Sequence, residues 1–141
     1  MKRHLIFILI AICCMNNNIF AAEKKGEYKI DIVAPQLKNR TIHLAMHFYG
    51  KLYSKDSVLL DGKGTGSFQK NKPLEEGMYA VYFSNSKYFD LLVGDDQNFK
   101  IEIDTTDLVN KVFITGSDQT EAFSNFMKFI PVKREEVNNI Y

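Results

Sequence analysis

The sequence predicts a mainly β fold, an antiparallel β-sandwich or open barrel of about eight strands closed by a C-terminal helix. Three observations lead there. Apolar residues alternate with polar ones along most of the chain, clusters of turn-forming residues recur at short intervals, and an apolar spacing of helical period occurs near the end.

Taken in order, the chain opens with Lys2 and Arg3, the apolar run Leu5 to Ile12, a short polar stretch, and then Ile19-Phe20-Ala21-Ala22. Charged, apolar and small residues in that order form a secretory signal peptide. The apolar run falls well short of the roughly 20 residues a spanning helix needs. Residues 1–21 are therefore expected to be removed, with the cut after Ala21 or Ala22. Lipoprotein anchoring at Cys13 or Cys14 is the less favoured alternative, because bulky residues precede both. The cut would remove both cysteines of the chain, and with them disulfide, thiol and cysteine-zinc chemistry. It would also lower the basic count from 18 by two, to 16 against 17 acidic residues, a net charge of −1. That balance gives no footprint for nucleic acid or an anionic membrane. The remainder is long enough for one domain with a real core.

Residues 22–116 carry the β pattern. In 27–34, Tyr28, Ile30, Ile32 and Ala34 share one face; in 41–49, Ile42, Leu44, Met46 and Phe48 do so; in 98–104, Phe99, Ile101 and Ile103 do so. Residues 78–83 (MYAVYF) are apolar on both faces, as in a central strand. Ala34-Pro35, Asp61-Gly62, Glu76-Gly77, Asn85-Ser86 and Gly94-Asp95-Asp96 supply turns. Residues 117–141 read as helical: Asp118 and Glu121 stand in a helix-start relation, and Phe123, Phe126, Met127 and Ile130 recur at i, i+3, i+4, i+7. Pro131 is expected to end that helix or open a second one. Val137, Ile140 and Tyr141 start a stripe that nothing continues, so this segment is expected to begin a linker to a domain absent from the sequence.

Several residue sets invite a chemical reading. Gly62, Gly64 and Gly66 resemble a phosphate cradle, but no helical stripe follows them and neither glycine-loop spacing is met. A tight hairpin turn at Asp61-Gly62, with glycine supplying positive φ, explains them better. His43 and His47 share a strand face about 13 Å apart, too far for one zinc that each must reach at about 2 Å. Asp95 and Asp96, with Asn98 and Asp104 nearby, lack the alternating ligands of a calcium loop. Asp56 and Ser57 have no adjacent base and read as backbone-bonding residues at a strand entry. Tyr49, Tyr53, Tyr79, Tyr88 and Phe89 divide between core and a docking surface in a way the sequence leaves open.

The order of these features carries a resemblance. Asp56-Ser57 before the third strand, Asp61-Gly62 with Phe68, Gly77-x-Tyr79, Asp96-Gln97-x-Phe99 and Gly116-Ser117 before Phe123 resemble one family over nearly the whole mature chain. It is the amino-terminal domain of unknown function of exported thioredoxin-like proteins, similar to thiol–disulfide oxidoreductases and AhpC/TSA-type peroxiredoxins of the cell envelope. The resemblance implies a β-sandwich, then helices, then a thioredoxin fold bearing Cys-x-x-Cys. This chain has neither that fold nor a mature cysteine, so the redox activity does not carry over.

The expectation is thus a non-catalytic accessory domain in the periplasm or envelope. It has no catalytic, cofactor-binding or metal residue, no cofactor, no nucleic-acid partner and no transmembrane span in the mature chain. Its partner would be a thioredoxin-like domain or another envelope protein. The alternative is a stand-alone exported binding module for a glycan or peptide; the absence of tryptophan weighs against a glycan.

Overall fold

A computed structural model describes residues 27–84 and 87–138. The expected signal peptide with Cys13 and Cys14, the Asn85-Ser86 turn, Ile140 and Tyr141, and the side chain of Val137 lie outside the described residues.

The described residues form eight strands and one α-helix. The strands are β1 (Tyr28–Val33), β2 (Thr41–Phe48), β3 (Lys51–Leu59), β4 (Thr65–Lys70), β5 (Gly77–Ser84), β6 (Lys87–Val93), β7 (Asn98–Ile103) and β8 (Val112–Thr115). A single 3-10 turn, Pro35–Leu37, links β1 to β2, and α1 spans Asp118–Asn138. One four-stranded sheet has the order β4-β1-β7-β8 and the other β3-β2-β5-β6, which makes a sandwich with no closed barrel.

Strand alternation translates directly into burial. Along β7 exposure and burial alternate at every residue, and in β1 Tyr28, Ile30 and Ile32 are all buried. Register aligns these inward residues across the first sheet: Ile30 lies beside Phe68 and Phe99, and Ile101 beside Ile32 and Ile114. Ile42, Leu44, Tyr79, Val81, Phe89, Leu91 and Val93 supply the facing layer of the same core. Each such side chain stabilises by about 1.5–3 kcal/mol when fully buried, so these two faces carry the fold. β5 lies inside its sheet between β2 and β6, in keeping with its apolar sequence.

Four expectations need correction. The pairing is not purely antiparallel: β1 and β7 run parallel, because alternation reports which face is buried and not the direction of the neighbour. The Asp61-Gly62 segment is no hairpin. β3 and β4 belong to different sheets, so the chain crosses the sandwich there as an arch. Positive φ falls at Gly64 (+81°) and not at Gly62, and a Cβ at Gly64 would meet the Ala34 carbonyl oxygen at 2.3 Å. Asp56 and Ser57 sit within β3 and not before it, at a bulge where Lys55 has no partner in the register.

The fourth correction concerns α1. The helix starts at Asp118, as expected, and is capped by Ser117, whose hydroxyl meets Thr120 Oγ1 at 2.8 Å. Thr120 Oγ1 donates to the Leu92 carbonyl at 2.7 Å, which pins the helix start to β6. The helix then continues past Pro131. Proline removes the bond to the carbonyl of Met127 and crowds that carbonyl, but the following Lys133, Arg134 and Glu135 are good helix formers. α1 packs on β6 and β8, the two edge strands of that flank. Of its expected stripe, Phe123 and Ile130 are half-buried, whereas Phe126 and Met127 stay exposed.

Candidate interaction surfaces

Polar residues singled out in the sequence prove to be structural fastenings. His43 stacks on Tyr82, its cross-strand neighbour, with ring centroids 4.8 Å apart. His47 Nε2–H donates to Asp90 Oδ1 at 2.8 Å. β5 lies between the strands that carry this pair, and Ala80 sits opposite both Ala45 and Asp90. Small residues at 45 and 80 let the imidazole and carboxylate meet over β5, and both alanines are buried although they lie outside the core cluster. The two histidines thus have separate partners. Asp56 accepts from the Tyr28 hydroxyl at 2.6 Å and from the Ser57 amide at 2.9 Å, and it pairs with Lys70 at 3.2 Å. Burial first, and then the bond to this carboxylate, push the Tyr28 hydroxyl up from its ordinary range.

Asp104 organises the loop after β7 by accepting from the Thr106 hydroxyl and amide, and it pairs with Lys111 at 3.1 Å. These contacts, the Thr106 hydroxyl foremost, hold its carboxyl down at about 2. Asp61 serves the arch in the same way, its carboxyl lowered first by the Thr65 amide. Among the described residues no group of three or more His, Cys, Asp or Glu side chains is placed to hold a metal ion. Gln97, buried, closes the turn before β7: its Oε1 accepts from the Leu74 amide at 2.8 Å, and its Nε2 donates to the Leu74 and Gly94 carbonyls. Its role was invisible in sequence, since a lone glutamine between polar neighbours carries no periodic signal.

The aromatics divide cleanly. Tyr79 and Phe89 lie in the core, while Tyr49, Tyr53 and Tyr88 are exposed. Two apolar surfaces result.

The first is the β2–β3 hairpin. Its two-residue turn, Tyr49-Gly50, has φ of +46° and +72°, the positive pair that a type I′ turn requires. Asparagine or glycine normally fills the first position; a tyrosine there is disfavoured by about 1–2 kcal/mol. Tyr49 is nevertheless 89 % exposed at the tip. Phe48 meets Tyr49 at 4.5 Å and Tyr53 at 6.0 Å between ring centroids, with planes 80° and 74° apart. β5 pairs with β2 only as far as Met46, so the end of the hairpin projects as a two-stranded arm. The sequence concealed this turn because Tyr-Gly is not one of the usual hairpin dipeptides.

The second surface is the outer side of α1. Phe126, Phe129 and Val132 are each more than half exposed, as is Phe113 on β8. Lys128 lies 4.9 Å over the Phe113 ring, and Lys133 lies 5.4 Å over that of Phe129. Two grooves flank the helix: one of about 300 Å³ beside Tyr88, Met127 and Pro131, another of about 730 Å³ beside Leu92, Phe123 and Phe126.

No protein-family model matches the chain, and no curated protein matches it in sequence. No helix of the described residues is long and apolar enough to cross a membrane.

Proposed function

We propose that this chain is a non-catalytic accessory domain of an exported, envelope thioredoxin-like thiol–disulfide oxidoreductase, and that it binds a partner domain which performs the redox chemistry. The observation that carries the reading is the outer face of α1. Phe126, Phe129 and Val132 stand in solvent beside Phe113, at the point where the family it resembles continues through helices into its thioredoxin fold. Exposed aromatics grouped on one element are typical of docking surfaces. Residues 27–138 hold no cysteine, so a disulfide-exchange step would have to come from elsewhere.

The test is a photo-activated cross-linking residue placed at Phe129 in cells that express the whole protein. A cross-link to a thioredoxin fold bearing Cys-x-x-Cys is expected, in the same chain or another. Cross-links solely to proteins without that fold, or insulin reduction by the purified chain alone, would overturn the reading. The β2–β3 arm favours a second reading, a stand-alone module that captures a peptide or glycan. Its rings stand steeply edge-on to one another, which gives a sugar no flat platform and leaves a peptide the better fit.

A further inference from the structure

The β2–β3 arm is shaped for a medium that surrounds it. Phe48 and Tyr53 continue the inward-facing rows of β2 and β3, Leu52 lies in the opposite row beside His47, and Tyr49 forms the tip. Apolar groups therefore ring the end of the arm on both faces, where a rigid partner would meet only one. All four are exposed. From Met46 to Lys55 the chain carries Lys51 and Lys55 and no carboxylate. Lys55 is shared with Glu75 at 3.3 Å, whereas Lys51 has no ion pair among the described residues. Glu75 lines a pocket with Phe48, Tyr53 and Lys55, and Asp90 is bonded to His47, so the charge of the arm left for a partner is that of Lys51. At its base the arm is fastened to β6 by the His47–Asp90 bond, so the tip is presented on a braced strand pair.

We propose that the arm docks the protein on an anionic lipid surface, with Tyr49, Phe48, Tyr53 and Leu52 entering the interfacial layer and Lys51 meeting the phosphate headgroups. Tyrosine suits that layer because its ring is apolar and its hydroxyl stays wet. A basic residue at the rim adds attraction to anionic headgroups. Tyrosine at the tip, against the local backbone preference, places the bulkiest group at the most projecting point. The proposal goes beyond the accessory-domain reading and does not depend on a redox partner.

The chain has no tryptophan, so a Tyr49→Trp variant of the full chain reports on the tip alone. With phosphatidylcholine vesicles containing phosphatidylglycerol, its emission is expected to shift to the blue and to be quenched by lipids brominated on the acyl chains. Leu59→Trp, exposed at the other end of β3, should show neither change, and Phe48→Trp should behave as Tyr49→Trp does. Lys51→Gln in the Tyr49→Trp background should raise the vesicle concentration for half-maximal shift about fivefold, the effect of losing one basic residue at an anionic surface. Three results would each overturn the proposal: unshifted emission from the Tyr49→Trp variant while it sediments with the vesicles, which would place recruitment elsewhere; an equal shift with pure phosphatidylcholine and no effect of Lys51→Gln; or a shift only on adding a peptide or oligosaccharide.

Discussion

The inner faces of the two sheets and the β2–β3 arm use the same residue types to opposite ends. Phe68 and Tyr79 are fully buried between the sheets, and each aromatic there excludes water from its neighbours. Phe48 and Tyr53 lie on paired strands and Tyr49 in the turn that joins them, yet all three are about half exposed or more. The difference comes from position: the ladder between β2 and β5 stops at Met46, and burial falls away beyond it although the alternation continues. Period-two alternation reads the same on both sides of that limit, so composition alone does not separate structural aromatics from presented ones.

The contrast predicts its own largest effect. Phe68→Ala should lower stability by about 3–5 kcal/mol, as truncation of a fully buried aromatic does. Tyr49→Ala should stay within about 0.5 kcal/mol, as exposed substitutions do. Urea unfolding measures both, and a comparable loss at the two positions would break the comparison.

Glycines sharpen it next. Gly64→Ala is expected to cost about 2–4 kcal/mol, since a strained positive φ and a clash with the Ala34 carbonyl add together. Gly50 has positive φ too, but nothing lies within 4 Å of its would-be Cβ. Gly50→Ala should therefore cost only the backbone term of about 1–2 kcal/mol. Of comparable size is Gln97→Ala, which strips the buried Leu74 amide of its acceptor. It should lose about 1–3 kcal/mol in the same assay and leave the arm untouched.

A pH dependence tests the same burial without a substitution. Burial, and after it the charge of Glu75, push the Tyr79 hydroxyl up to about 12. In the unfolded chain it ionises near 10, so its contribution is fully present below pH 10 and is lost as pH rises from there through about 12. The buried Tyr28 hydroxyl is raised as well and acts in the same direction. The urea midpoint should fall over that window; a flat midpoint would contradict the burial of these phenols.

Much of the fold was legible because it rests on simple periodicity. The inward sets of β1 and β7 could be read residue by residue, as could the inner place of β5 in its sheet and the helix start near Asp118. What was not legible depended on partners distant in sequence. The parallel β1–β7 pair, the arch at Leu60–Gly64 and the His47–Asp90 bond over Ala80 each join segments whose relation no local pattern encodes. Pro131 misled for a different reason: it marks a helix end only where the loss of one bond decides the matter, and here the flanking residues favour helix. Of the candidate surfaces, the sequence held the aromatics but not their exposure, because the Tyr49-Gly50 turn sets where β2 stops and its dipeptide is an uncommon one.

The most direct test of this separation is to measure stability and vesicle partitioning together on one variant, Phe48→Ser with Tyr49→Ser. Its unfolding free energy should remain within about 1 kcal/mol of the parent, the scale of a lost exposed aromatic pair, while partitioning onto anionic vesicles through the arm disappears. A loss of stability as large as that of Phe68→Ala, or partitioning unchanged from the parent, would contradict the account.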